Sequence, residues 1–245
     1  MSTYVYGITR ATGTRLPEGL TGIGEPPLPV RVVRRGPAAA LVSDCPAGLR
    51  PRRRDLFAHQ RVLSAAAERG PVLPLRFGAV SQDDAAVRAA LAEHAELYRE
   101  QLDAVTGRSE YNVKAMHREE RVLRRVIEEH PEIRTLNEAT RTGGRAAYAE
   151  RLRLGRLVAD ALRGHEERDA REVVEALAPH AERHVAGPGG AGRVANLSFL
   201  VEKDRAEAFL TAVEVLSAAS PQMDVRVTGP LPAYSFVRTE PAQAA

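Results

Sequence analysis

Apolar positions alternate or cluster with clear punctuation along this chain, and the pattern switches several times between the two-residue period of strands and the 3.6-residue period of helices. Thr3 to Thr9, TYVYGIT, is β-branched and aromatic and predicts a strand. Residues 10–29 are crowded with Gly and Pro, leaving room for one short helical turn around Pro17 to Leu20. Two apolar runs, 30–36 and 38–44, are split by Gly36-Pro37 and predict a hairpin. Residues 51–69 place Leu56, Leu63 and Ala67 on one helical face, with Gly70 as the stop. The stretch GPVLPLRFGAVS at 70–81 then predicts a closing strand. In it Pro74 implies an edge or a bulge, and alternation puts Leu73, Leu75 and Phe77 on the core face with Arg76 opposite.

Ser81 can cap a helix, and Val87, Leu91, Ala95, Tyr98, Leu102 and Val105 recur at helical spacing over 83–105. Thr106-Gly107 breaks it and marks the expected domain boundary. The second half repeats the plan. A strand is predicted at 110–116 and a charged helix at 117–129, stopped by His130-Pro131. A polar loop follows from Thr135 to Gly144, then a long helix from Arg145 towards Pro179. The strand ERHVAG, the loop GPGGAG and the strand VANLSFLVE come next, before a helix holding Phe209, Leu210, Val213 and Leu216 and a last strand at 225–237. The predicted architecture is α+β: two tandem modified ferredoxin-like (βαββαβ) domains with additional helices, spanning 1–107, which includes the 83–105 helix, and 108–245.

Composition trims the possibilities. At 245 residues and 44% hydrophobic content there is enough apolar material for two cores, built from Leu, Val and Ala because aromatics make up only 4%. Net charge is +3, and of the basic residues only Lys114 and Lys203 are lysine. That arginine bias is spread along the chain, and no nucleic-acid footprint is expected from it. A single cysteine, Cys45, rules out an internal disulfide and fits a reducing cytoplasm. No window reaches the ~18 apolar residues of a membrane helix, and the start MSTYVYGITR carries no expected signal peptide.

Candidate chemistry is thin. GPGGAG, Gly187 to Gly192, lacks the Lys and hydroxyl of a phosphate loop, and Arg193-Val194 follows it between two strands. His180 and His184 in HAERH have a zinc-compatible spacing but no third ligand nearby, so no metal or cofactor is expected. No serine sits in a nucleophile-elbow context, and the paired glutamates are adjacent on helices and diverge. Arg50 to Arg54, RPRRR, is the densest basic run and opposes the dipole of the helix it begins, which raises an anionic partner surface beside the plainer reading of a solvated face. In EYNVKAM, Glu110, Asn112 and Lys114 alternate onto one strand face; this charged row and the exposed cation Arg76 are the candidate partner-contacting residues.

Five segments in order, YVYGI from Tyr4, PVLPLRFGAV at 71–80, EYNVKAM at 110–116, NLSFLV at 196–201 and GPLPAYSFV at 229–237, together resemble the gas vesicle protein F/L family across nearly the whole chain. GRAAYAER at 144–151 is similar to a helix start of that family, with Tyr148 displaced; Ala79 departs from the Thr usual there. The resemblance implies a non-enzymatic, cytoplasmic and vesicle-associated accessory protein of gas vesicle formation. It also implies partners: the small hydrophobic shell protein that polymerises into the vesicle wall, and other accessory proteins. An enzyme or small-ligand protein on the same fold is the alternative, since such folds host many functions. RNA binding on an open sheet is disfavoured by the missing aromatic strands.

Overall fold

A computed structural model describes residues 2–13, 16–142, 148–190 and 192–238. The chain divides into two compact units: Met1–Glu110 together with the C-terminal segment from Gly229, and Tyr111–Thr228.

In the first unit β1 (Thr3–Arg10) is central, with the hairpin β2 (Arg31–Arg35) and β3 (Ala38–Asp44) on one side. On its other side β1 pairs with β4 (Val72–Pro74), and further along with β5 (Val80–Ser81). The order β2-β3-β1-β4 is that of a ferredoxin-like sheet, and each pairing is antiparallel. Gly36, at φ +59, turns the hairpin as its position between two apolar runs predicts. Where a first crossover helix would stand, the described residues make only a turn in which the Leu20 N–H donates to the Pro17 carbonyl. Among the described residues the unit also holds the helices α1 (Arg53–Ala67), α2 (Asp84–Glu93) and α3 (Ala95–Val105).

β1 is buried from Thr3 through Thr9 and β3 from Ala38 through Ser43, so both faces of this sheet are covered. α1 packs with Tyr4, Tyr6, Leu41 and Val72 through Val62, Leu63 and Ala66. α3 also contacts β1, β3 and β4. Two-sided cover corrects the alternation read into residues 70–81. Val72, Leu73 and Pro74 are all buried, and the strand ends at Pro74. Beyond it the chain turns, with Gly78 at φ +96, so Phe77 swings onto the same cluster as Val72 instead of continuing the face of Leu73. Pro74 does lie on an edge strand, as its missing N–H requires.

The expected 83–105 helix is two helices meeting at His94, whose backbone (φ −104, ψ 21) leaves the α region. Its cap is Asp83, which accepts from the Ala86 N–H at 2.8 Å, and not Ser81.

The second unit is built on β6 (Arg108–His117), β7 (Arg183–Ala186), β8 (Arg193–Glu202) and β9 (Met223–Leu231). Their order, β7-β8-β6-β9, repeats that of the first sheet. Tyr111, Val113 and Ala115 of β6 join Leu197, Phe199 and Val201 of β8 against α7 (Ala206–Ala219) and the C-terminal half of α6 (Tyr148–Leu177). α4 (Glu119–Glu129) and α5 (Pro131–Thr142) pack against α6. The polar loop expected from Thr135 is helical as far as Thr142, because Pro131 starts a helix and Ile133 is buried. Gly143 to Ala147, where the next helix was expected to begin, and Ala191 lie outside the described residues. β7 and β8, on either side of GPGGAG, pair antiparallel.

The last expected strand, 225–237, stops at Leu231, and the chain from Gly229 joins the first unit. This differs from the boundary expected at 107/108. Long-range hydrogen bonds are the reason: Gln101 bonds Arg238 in both directions, at 3.1 and 2.7 Å, and Ser235 bonds Glu110.

Candidate functional site: polar interiors and exposed helix faces

Of the expected partner-contacting residues, Arg76 is exposed in the turn after β4 and Lys114 is exposed on β6. Asn112 is half-buried; its side-chain amide donates to Asn196 Oδ1 and to Ser198 Oγ, each at 3.2 Å. Glu110 is a correction, since it is only 3% exposed. Its carboxylate accepts from the Ser235 N–H and hydroxyl, both at 2.7 Å, and so holds the returning C-terminal segment. The charged row therefore does not form: one member serves the fold, one links strands, and Lys114 alone remains an exposed charge. The burial of Glu110 needed a partner 125 residues away, which no local pattern could reveal.

The chemistry-bearing groups that sequence reasoning missed are on α1. Asp55 and His59 are buried, while Leu56, placed inside by periodicity, is 43% exposed. The inward stripe is Asp55, His59, Val62, Leu63 and Ala66. Tertiary hydrogen bonds explain the rotation. Asp55 accepts from the Gly24 N–H at 3.1 Å, and His59 bonds Tyr4 and the Leu75 carbonyl. Because a carbonyl only accepts, His59 Nε2 carries the proton at 3.1 Å, and Nδ1 accepts the Tyr4 hydroxyl at 2.8 Å. Burial lowers the His59 pKa, which keeps the ring neutral, and burial raises that of Tyr4. The only available signal was an Asp and a His spaced i, i+4 amid apolar neighbours.

A second chain of bonds runs from the Ile23 N–H to the Tyr6 hydroxyl at 2.9 Å and on to Ser43 at 3.0 Å. Gly22 permits it: a Cβ there would lie 1.8 Å from the Tyr6 oxygen. Tyr234, raised to about 12 first by burial and then by Glu110, closes the same cluster. Tyr4, Tyr6, Ser43 and His59 thus find their partners in one another and in nearby backbone groups of the unit.

The second unit has its own polar cluster. His117 Nε2 lies 2.7 Å from Asp169, which also accepts from Gln222 at 3.3 Å. Burial opposes the Asp169 charge, but these bonds outweigh it and hold its pKa below the ordinary value. His165, with a side chain 1% exposed, faces Glu129 and Arg168; burial, then Arg168, lowers its pKa. Of the HAERH pair, His180 ends a 3₁₀ turn and His184 lies on β7 beside Phe199, so they do not share a helix. Among the described residues no group of three or more His, Cys, Asp or Glu is placed to hold a metal. No helix is long and apolar enough to cross a membrane among them.

What the surface does offer is apolar area on helices. Phe57 on α1 is 57% exposed beside Leu56, and Tyr148 on α6 is 74% exposed, with Leu152 one turn on. Exposed aromatic and aliphatic side chains on rigid helices suit association with another protein.

Comparison with known proteins places this surface in context. The family described as gas vesicle synthesis protein GvpL/GvpF matches residues 2–238. Gas vesicle protein F of Streptomyces sp. (strain CB03234) is 51% identical over 237 residues, covering 97% of this chain and 100% of that protein. Gas vesicle protein L of the same strain is 33% identical over 250 residues, covering 95% and 91%. Among solved structures, GvpF from Anabaena sp. PCC7120 superposes with a TM-score of 0.81 at 23% identity, covering 98% of this chain and 99% of that one. GvpF from Microcystis aeruginosa gives 0.76 at 21%, covering 97% and 99%. Both bear out the two-sheet α+β fold.

Proposed function

The chain belongs to the GvpL/GvpF family of gas vesicle synthesis proteins, and from that premise we propose that it is a non-enzymatic accessory protein that binds the small hydrophobic shell protein, other accessory proteins, or both, to assist nucleation or growth of the vesicle. The observation that carries this reading is the 51% identity to a gas vesicle protein F along its full length. The physical logic is that a shell subunit must expose apolar surface before it polymerises, and a folded partner with apolar helix faces of its own can shield that surface. Phe57, Leu56, Tyr148 and Leu152 supply such faces. The buried polar networks suit the same role, because they stiffen the units that present the helices. On this reading the protein works in the cytoplasm and associates with the growing vesicle.

Co-expression of the tagged chain with the shell protein of its own gene cluster tests the proposal. The shell protein should be retained on the affinity matrix above an untagged control. Recovery equal to that control for the shell protein and for the other accessory proteins alike would end this reading.

A further inference from the structure

The outer stripe of α1, Arg53, Leu56, Phe57 and Gln60, turns away from the core, which the helix meets through Val62, Leu63 and Ala66. Three features of this stripe cost the unit stability. Phe57 and Leu56 leave 57% and 43% of their surface in water. The first turn is cationic, against the helix dipole, and Arg52 at its head makes no side-chain cap. Arg50, Arg52, Arg53 and Arg54 are all exposed at this end of the helix, and the exposed carboxylate of Glu25 pairs with only two of them, Arg52 at 3.9 Å and Arg54 more closely. Asp55, the only acid in the first turn, is buried; one oxygen accepts from the Gly24 N–H and the other lies 3.6 Å from Arg54 Nε, which leaves Arg50 and Arg53 to set the charge of the face. Arg53 instead lies over the Phe57 ring, 5.4 Å from its centre. Local rules broken without a structural gain point to function.

We propose that this face docks a helical segment of a partner protein, one with an apolar stripe flanked by Asp and Glu. The inference rests on the binding-protein reading above and names the surface and the chemistry of its occupant. Leu56 and Phe57 would seat the stripe, and Arg50 and Arg53 would take its flanking carboxylates as charge-assisted pairs. An aromatic–arginine pair at the centre of a patch is the composition that dominates binding energy at interfaces. The charge of the occupant follows from that of the face, because a basic partner would meet like charges at its rim. Nucleic acid fits less well: a backbone needs basic residues along a track, whereas these cluster at one helix end around a pair of apolar side chains.

Two labelled synthetic helices of about 18 residues, long enough for marginal helicity, would share one leucine stripe and differ only in Glu or Lys flanks. Fluorescence anisotropy with the full chain should show binding of the Glu peptide and not of the Lys peptide, weakening as salt rises. Phe57→Asp and Leu56→Asp should each weaken binding at least tenfold with an unchanged melting temperature. A chain carrying Arg50→Glu and Arg53→Glu should exchange preference for the Lys peptide. Equal binding of both peptides, binding of neither, or indifference to these variants would overturn the proposal. Displacement of the Glu peptide by a single-stranded oligonucleotide, abolished in Phe57→Asp, would reassign the face to nucleic acid. A concentration-dependent mass lost in that variant would reassign it to a second copy. If the shell protein is recovered equally by the wild-type chain and by Phe57→Asp, this inference fails while the function stands; if the wild-type chain recovers no partner, the function itself fails.

Discussion

The two sheets have one strand order and two different ways of being buried. The first is covered on both faces, and its core includes polar groups, Tyr4, Tyr6, Ser43, Asp55 and His59, tied to backbone donors and acceptors in loops. The second has a mostly apolar face of Tyr111, Val113, Leu197 and Phe199 under α6 and α7, onto which Phe209 of α7 packs, and keeps its titratable cluster between β6, α6 and the turn after α7. Where a crossover helix is missing, as between β1 and β2, the loop must be fastened by specific bonds. Where helices are complete, hydrophobic area suffices. The first core should therefore be sensitive to single atoms, and the second to volume.

The largest effect is expected in the second core. Phe209→Ala removes a fully buried ring that touches Tyr111 and Phe199, and should destabilise by about 3–5 kcal/mol in chemical denaturation. In the first core Gly22→Ala, which adds one methyl, should destabilise by about 2 kcal/mol or more, because the Tyr6 hydroxyl must move and release Ile23. An effect within experimental error would show that this loop is not fastened as described.

Tyr4→Phe should follow at about 1–2 kcal/mol, since it leaves His59 Nδ1 buried and without its donor. Acid should separate the cores less sharply. His59 and His165 both have folded pKa values below the ordinary 6.5, so the unfolded chain binds more protons between those values and 6.5. The stability they contribute is present above about pH 6.5 and lost as pH falls through the folded pKa values. The melting temperature should drop between pH 7.5 and 5, and His59→Gln should flatten part of that drop. A wild-type profile that does not fall would contradict the buried, neutral state of both rings. Arg76→Ala and Lys114→Ala, both exposed, should change stability by less than about 0.5 kcal/mol in the same denaturation experiment.

These comparisons also separate what local pattern can say from what it cannot. Strands such as TYVYGIT and the alternation of Tyr111, Val113 and Ala115 were legible, because a strand in contact with a core must present apolar groups at a two-residue period. Leu56 was misplaced for the converse reason. Periodicity ranks a leucine above an aspartate for the interior, yet Asp55 and His59 each gain partners, in Gly24, Tyr4 and Leu75, that local sequence does not contain. The Arg50–Arg54 run was visible as a conflict with the helix dipole, but only the structure shows that an exposed phenylalanine and leucine stand beside it.

By itself, then, the sequence determined most of the element types, the repeated βαββαβ order, the choice between an edge and a bulge at Pro74 and the family, all of which depend on residues near one another or on motifs in fixed order. Tertiary structure alone decided that both faces of the first sheet are covered and that His94 divides a helix. It alone decided that Phe77 packs beside Val72, and that Glu110 is consumed in holding Ser235. Those outcomes depend on which distant groups arrive to satisfy a buried donor, acceptor or apolar face, and a buried carboxylate is tolerable only once such a partner is in place.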